Sequence, residues 1–162
     1  MIFNIPAKKK SLGKLVYDIH HKTVDIKNIT PLCLQLLHVV AHINLLQEKI
    51  IPAINKGKTV LLDRYWWSTI VYSKASNVDD ELISCAIDIE CKFTDMITHK
   101  IFFYITRNNR EHDFDKLKEN TILKEYSRLF NECRDRKYEI LNEGPIEKIV
   151  DLIFDNIFNN NM

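Results

Sequence analysis

Two short apolar runs constrain the fold most strongly, because each is bounded by longer segments that carry helical signals. The runs are residues 59–62 (TVLL) and residues 100–105 (KIFFYI). A continuous apolar run of this length is typical of a strand that is covered on both faces, as in a parallel sheet. The alternation of such strands with helices predicts an α/β fold, a three-layer arrangement with a parallel sheet flanked by helices.

The helical segments have recognisable starts and stops. Ser11 can cap a short helix over residues 12–20. Thr30 and Pro31 mark the start of a long, largely buried helix that reaches about residue 55, and Gly57 supplies its left-handed stop. Further elements are expected as a helix over 79–93, a helix from 119 to about 133, a strand over 137–142 and a helix over 145–158.

Composition and charge indicate one soluble globular domain, residues 1–162, in the cytoplasm. The chain is 46% hydrophobic and 28% charged, with a net charge of +1 that gives no electrostatic basis for nucleic-acid binding. No apolar run reaches the roughly 18 residues of a membrane span. The four cysteines have neither paired nor zinc-type spacing, so we expect reduced, mostly buried thiols.

Charged residues follow both apolar runs. Asp63 and Arg64 come directly after the first run, and Arg107 with Asn108 follows the second. Because ligands bind at the carboxyl ends of parallel strands, both pairs are expected in one crevice. An aspartate there can hold Mg²⁺ through water, and an arginine can clamp a phosphate, which suits phosphoryl transfer. The alternative is an ordinary surface ion pair.

A charged segment, residues 107–119, lies between a strand and a helix. Its candidate functional side chains are Arg107, Arg110, His112 and Asp113. Such a segment can act as a short lid that closes over phosphates. The alternative is a solvated charged turn.

Two pairs of aromatic residues flank the acidic and basic pair. His38 and His42 are four residues apart and share a helix face; without a third ligand, ligand contact or burial is favoured over a metal site. Trp66 and Trp67 can pack in the core or offer an aromatic wall to a base.

In their order and spacing these motifs resemble the thymidylate kinases, P-loop enzymes that phosphorylate dTMP with ATP and Mg²⁺. The family signature DR[YH]xxSxxAYQ is matched in residues 63–73 (DRYWWSTIVYS), and residues 51–57 (IPAINKG) resemble the end of the preceding helix. Pro6 and residues 11–15 are similar to the piece that follows the family's second strand. The resemblance covers almost the whole chain, with a shortened lid from residue 110.

The resemblance implies a P-loop NTPase-like nucleotide kinase fold and a set of roles. Asp63 would organise Mg²⁺ and the phosphates, Arg64 would bind the acceptor monophosphate, and Arg107 or Arg110 would serve the lid. The nucleoside site would be lined by His38, His42, Trp67, Ser68, Thr69 and Tyr72. The implied partners are small nucleotides, with a possible homodimer and no membrane.

Three positions depart from the family pattern. His38 replaces a phenylalanine that stacks on thymine, His42 replaces an arginine, and Ser73 replaces a glutamine. A neutral histidine can hydrogen-bond a base but is a weaker phosphate clamp than arginine. The preferred monophosphate therefore stays open.

The phosphate-binding pattern GxxxxGK[ST] does not occur in this sequence, which has three glycines. In the family, the first strand, the Gly-rich loop and the first helix would precede Phe3. We expect either a part of an ordinary kinase or a catalytically inactive nucleotide-binding or interaction module, with unpaired strand edges and exposed apolar surface. A deoxynucleoside kinase, with a related sheet and motif, is the further alternative.

Overall fold

The computed structural model describes residues 2–4, 11–21, 23–24, 26–106 and 116–158. The chain divides into two compact units, Met1–Met96 and Ile97–Met162, here called the N-terminal and C-terminal units. Each unit contains one pair of parallel strands and several helices. The predicted alternation of strands and helices is confirmed.

The described residues of the N-terminal unit form two strands and five α-helices. β1 and β2 pair in parallel, with Asn4 opposite Asp63, and α2, α4 and α5 pack against one another in all three pairings. The elements are β1 (Ile2–Asn4), α1 (Leu12–His20), α2 (Pro31–Leu45), α3 (Ile51–Asn55), β2 (Leu61–Asp63), α4 (Trp66–Ala75) and α5 (Asp80–Asp95).

Side-chain caps fix the starts of three of these helices. Ser11 accepts a hydrogen bond from the Lys14 amide, and Thr30 accepts one from the Cys33 amide. Asp79 accepts two at the start of α5. Each cap satisfies amides that have no partner within the helix. The predicted caps at Ser11 and Thr30 and the left-handed Gly57, with φ of +70°, are confirmed.

The long helix predicted from Pro31 is interrupted by a π-helical turn, Leu46–Ile50. Within it the Ile51 amide donates to the carbonyl of Leu46, five residues earlier. The next residue, Pro52, has no amide hydrogen and cannot continue the regular α-helical pattern. The wider π-helical turn accommodates the missing hydrogen bond of Pro52, so the chain stays helical to Asn55.

The core of the N-terminal unit forms around this turn. Leu45, Leu46, Ile50 and Tyr65 make a buried cluster, in which Leu46 is fully buried. Partly buried side chains that pack on the cluster include Leu62, Trp66 and Phe93. The packing role expected for at least one tryptophan is therefore confirmed for Trp66.

The C-terminal unit contains β3 (Ile101–Thr106), α6 (Lys116–Glu132), β4 (Arg136–Leu141) and α7 (Ile146–Phe158). β3 and β4 pair in parallel along six residues, from Ile101 opposite Arg136 to Thr106 opposite Leu141. α6 begins earlier than the sequence predicts, because residues 116–119 of the charged segment are good helix formers and make its first turn.

The expected burial of both apolar strands on two faces is wrong. β2 begins at Leu61, whose side chain is 39% exposed, and β3 is half-buried with Ile105 46% exposed. The physical reason lies in the pairing: among the described residues each strand has one neighbour. An apolar run indicates that a strand is favoured to be buried, but it does not indicate how many neighbouring strands will pair with it.

The expectation of mostly buried thiols is also wrong. Cys33 and Cys85 are exposed, Cys91 and Cys133 are half-buried, and none of the four is in a disulfide. Cys85 lies on α5 beside Ile83, Ala86 and Ile87, which take the buried positions of that helix.

Within the described ranges, the helices all fall short of the length and apolarity that crossing a membrane requires.

Candidate functional site

Asp63 and Arg64 occupy the carboxyl end of β2, as predicted. Asp63 is the last residue of the strand and its side chain is exposed. Arg64 has a φ of +66°, in the left-handed region that costs a residue with a side chain about 1–2 kcal/mol. Pairing of Asp63 with β1 on one side and burial of Tyr65 on the other hold this backbone in place.

The Arg64 side chain is anchored on α4. Its Nη1 donates a hydrogen bond of 3.0 Å to the Tyr72 hydroxyl, and its guanidinium carbon lies 5.8 Å from the centre of the Tyr72 ring. Ser68 and Tyr72 are four residues apart in α4 and lie on one side of that helix. Arg64 precedes the helix and reaches that side through its hydrogen bond to Tyr72. The structure therefore brings these three candidate residues together, with Arg64 exposed and the other two half-buried.

Thr69 is a buried residue of α4. Tyr65, Thr69 and Ser73 are buried, and among the described residues their hydroxyl oxygens have no hydrogen-bond partner. An unsatisfied buried hydroxyl costs about 1–3 kcal/mol. Thr69 is thus an interior residue here, whereas Ser68 and Tyr72 are half-buried.

His42 is buried against an acidic partner that the sequence did not reveal. Its Nδ1 shares a hydrogen bond of 2.5 Å with Oε1 of Glu90, linking α2 to α5. His42 is 3% exposed and Glu90 is fully buried. Burial raises the pKa of the Glu90 carboxyl, whereas the contact with His42 acts in the opposite direction.

Two aromatic rings lie next to His42. The Tyr65 ring centre is 5.4 Å from that of His42, and the half-buried His38 ring is 6.0 Å away. Burial, with the nearby Glu90 carboxylate and Cys91, raises the pKa of the Tyr65 phenol. Tyr65 is therefore a neutral interior phenol at physiological pH.

Trp67 remains available as a partly exposed aromatic surface. It is half-buried at the start of α4, and its ring meets that of Trp66 edge to face with centres 6.0 Å apart. Trp66 packs on the core, so the two tryptophans have different surroundings. A role of Trp67 beside a base stays a prediction.

Comparison with known proteins places these residues in a family. The model of the family described as Thymidylate kinase matches residues 1–153. The chain belongs to the thymidylate kinase family. The resemblance drawn from residues 63–73 is thereby confirmed, and the family implies an α/β fold of the P-loop NTPase type, with which the parallel strand pairs agree.

Individual relatives match over shorter stretches. A thymidylate kinase of Chlamydia trachomatis serovar L2 is 50% identical over 46 residues, covering 28% of this chain and 23% of the relative. One from Citrifermentans bemidjiense is 45% identical over 51 residues, covering 30% and 23%. One from Thermoanaerobacter sp. strain X514 is 44% identical over 62 residues, covering 38% and 29%. The matched stretches thus span less than a third of each relative's length.

Other candidate residues of this thymidylate kinase family member fall outside the described residues. Arg107, Arg110, His112 and Asp113 belong to this group, with residues 107–115 of the predicted lid segment, whereas its residues 116–119 form the first turn of α6. Their approach to Asp63 and Arg64 stays a prediction.

Glu90 is the residue that sequence reasoning missed. It occupies the fourth position of a helical stripe whose other members are Ile83, Ala86 and Ile87, all buried. A glutamate at a place where the helical period requires an apolar residue was the signal that could have found it. Its partner could not be read from the sequence, because the two residues are 48 positions apart.

Proposed function

We propose that the chain is a thymidylate kinase-type phosphotransferase that converts ATP and dTMP to ADP and dTDP, with its described residues forming the acceptor side. The observation that carries the proposal is Arg64, held at the end of β2 with its guanidinium on Tyr72. A planar guanidinium matches the oxygens of a phosphate, and parallel strand ends are where such ligands bind. The family match over residues 1–153 supports the same reading.

In this proposal Arg64 binds the phosphate of the acceptor. Ser68 and Tyr72 border the nucleoside along the same side of α4, and His38 and Trp67 supply aromatic surface. His42 and Thr69, both buried, support that site from within the unit. Arg110 and Arg107 would bring positive charge to the transferring phosphoryl group.

Asp63 fits a supporting role for Mg²⁺. Among the described residues no group of three or more histidine, cysteine, aspartate or glutamate side chains could hold a metal. Magnesium is commonly bound through one or two carboxylates, with water and substrate phosphates completing the shell. The exposed carboxylate at the end of β2 can serve in that way, and Mg²⁺ would neutralise charge on the phosphates.

The remaining parts of the proposal concern the whole protein. We place the reaction in the cytoplasm, with small nucleotides as partners, no nucleic acid or membrane, and assembly as a homodimer. Nucleotide binding without turnover is the second function to be tested.

Calorimetry on the 162-residue chain tests the proposal. We expect dTMP to bind, and Arg64→Ala to raise its Kd by about 10- to 100-fold, because a charge-assisted hydrogen bond contributes about 1.5–3 kcal/mol. Thymidine lacks the phosphate, so its affinity should not change. Arg128→Ala, which removes an arginine from α6, is the matched control and should leave the dTMP Kd unchanged.

The outcomes separate the alternatives. Equal dTMP affinity for Arg64→Ala and the unchanged chain would contradict the phosphate role. Formation of dTDP with Mg²⁺ and ATP present would contradict the non-catalytic function. Phosphorylation of thymidine in place of dTMP would select a deoxynucleoside kinase.

A further inference from the structure

The buried contact between His42 and Glu90 is suited to orient the imidazole ring of His42. It joins two helices that both pack on α4, and both side chains are shielded from water. A proton must lie between Nδ1 and Oε1, because two unprotonated acceptors 2.5 Å apart would repel each other. The contact therefore fixes the plane of the imidazole and the role of its other nitrogen.

Stability alone does not account for a glutamate at this position. Replacing a buried charged pair by apolar groups of similar volume is often neutral or stabilising. The neighbours of Glu90 on the same stripe, Ile83 and Ile87, show that an apolar residue suits this face of α5. Oε2 of Glu90 has no partner among the described residues, so the hydrogen bonding of this carboxylate there goes to His42.

The ring that Glu90 holds lies next to two parts of the acceptor site. The ring centre of the half-buried His38 is 6.0 Å from it, and that of Tyr65, which directly follows Arg64, is 5.4 Å from it. Burial of Tyr65 is one of the two restraints on the left-handed backbone of Arg64. A shift of the His42 ring would therefore reach both His38 and the turn that carries Arg64.

We propose that Glu90 is a positioning residue for the acceptor nucleoside monophosphate. It acts through the His42 ring, which contacts both His38 and the Arg64–Tyr65 turn. The inference rests on the proposed function, since it concerns the same site. It adds a residue that touches no substrate and acts through a second side chain. Among the described residues, the titratable groups that interact with Glu90 include His42 on α2 and Tyr65 before α4.

The test compares three variants of the 162-residue chain by dTMP calorimetry, each well below its own unfolding temperature. Glu90→Gln keeps the shape but removes the carboxylate, and Glu90→Leu keeps an apolar volume that avoids an unsatisfied amide if the first variant folds poorly. Ile83→Val, on the same buried stripe, is the control for a small loss of packing. We expect the Glu90 variants to raise the dTMP Kd about tenfold and Ile83→Val to change it less than twofold.

A second readout follows His42 directly and needs no nucleotide. Nitrogen-15 NMR of the imidazole should show a proton held at the Nδ1 side in the unchanged chain and redistribution toward Nε2 in Glu90→Leu. A role limited to stability would lower the unfolding temperature without changing the dTMP Kd.

The results distinguish the two proposals. Wild-type dTMP affinity in folded Glu90→Gln and Glu90→Leu, with affinity lost in Arg64→Ala, would overturn the role of Glu90 and leave the proposed function standing. Unchanged His42 nitrogen signals in Glu90→Leu would also overturn it. If the unchanged chain bound no dTMP, the proposed function itself would fail, and the positioning role with it.

Discussion

The two units differ in what they bury. All of the buried polar side chains within the described residues lie in the N-terminal unit: Gln35, His42, Thr69, Ser73 and Glu90. The C-terminal unit buries Leu129, Ile140 and Ile149, which are apolar. Burying polar groups without full hydrogen bonding lowers stability. The unit with these buried polar groups also holds Arg64 at a strand end. A loss of stability from buried polar groups is expected near a functional site.

Both units also expose apolar side chains. α7 of the C-terminal unit carries an exposed apolar stripe at four-residue spacing: Ile146, Val150, Phe154 and Phe158. The rings of Phe154 and Phe158 are 4.5 Å apart, so part of the stripe packs on itself. Apolar surface left in water adds little to stability. The comparison teaches that the N-terminal unit uses its interior for polar positioning, whereas the C-terminal unit relies on a strand pair and a small apolar core.

The largest expected loss of stability comes from a substitution in the core of the N-terminal unit. Leu46→Ala removes a fully buried side chain from the cluster with Ile50 and Tyr65 and should lower the free energy of unfolding by about 2–5 kcal/mol. Both tryptophans belong to this unit, so urea unfolding followed by their fluorescence measures the loss there. Leu82→Ala is the control: that side chain is 57% exposed and should cost within about 0.5 kcal/mol.

A neighbouring pair on α7 tests the C-terminal unit. Ile149 is 7% exposed and Val150 is 55% exposed, so Ile149→Ala should cost about 2–3 kcal/mol and Val150→Ala less than about 0.5 kcal/mol. Hydrogen exchange of the β3 and β4 amides reports on this unit. If both variants accelerated exchange equally, α7 would be packed through its apolar stripe and the contrast between the units would fail.

Much of the fold could be predicted from local chemistry. The sequence context of Ser11 and Thr30 predicts that they cap helices, and in the structure both side chains accept the capping hydrogen bonds. The position of Asp63 and Arg64 at a strand end followed from an apolar run that stops at a charge. These signals are local, because a cap or a strand end involves residues a few positions apart.

Features that depend on distant residues could not be predicted in this way. The exposure of Leu61 depends on how many strands flank β2, and the burial of Glu90 depends on a histidine on another helix. The left-handed Arg64 has no sequence signal, since arginine gives no preference for that backbone. The burial of Thr69 beside the half-buried Ser68 and Tyr72 likewise depends on the helices that pack on α4.

The pH dependence of stability sharpens the account of the polar interior. Burial raises the pKa of Glu90, so the folded chain binds this proton more tightly than the unfolded chain does. The stability that it adds is fully present below the ordinary carboxyl pKa and is lost as the pH rises through the raised value. We expect the stability of the unchanged chain minus that of Glu90→Gln to fall with rising pH in that window, by at most about 1.4 kcal/mol per pH unit.

Urea unfolding of the two proteins at a series of pH values measures this difference. Other carboxyl groups contribute equally to both proteins and cancel in the subtraction. A difference that is flat across the window, or that rises with pH, would contradict a carboxyl whose protonation is favoured by burial.

The smallest expected effect separates stability from positioning within α5. Asp79 accepts hydrogen bonds from the amides of Glu81 and Leu82, at 2.9 and 3.2 Å, and Asp79→Ala removes both. The loss should be about 1 kcal/mol in the free energy of unfolding, and Asp79→Asn should restore most of it because asparagine caps equally well. Asp79 lies about 16 Å along the helix from Glu90, at 1.5 Å per residue, so the dTMP Kd should not change. Weaker dTMP binding by Asp79→Ala would mean that general loosening of α5 reaches the site. In that case a weakened Glu90 variant would report on stability and not on the orientation of His42.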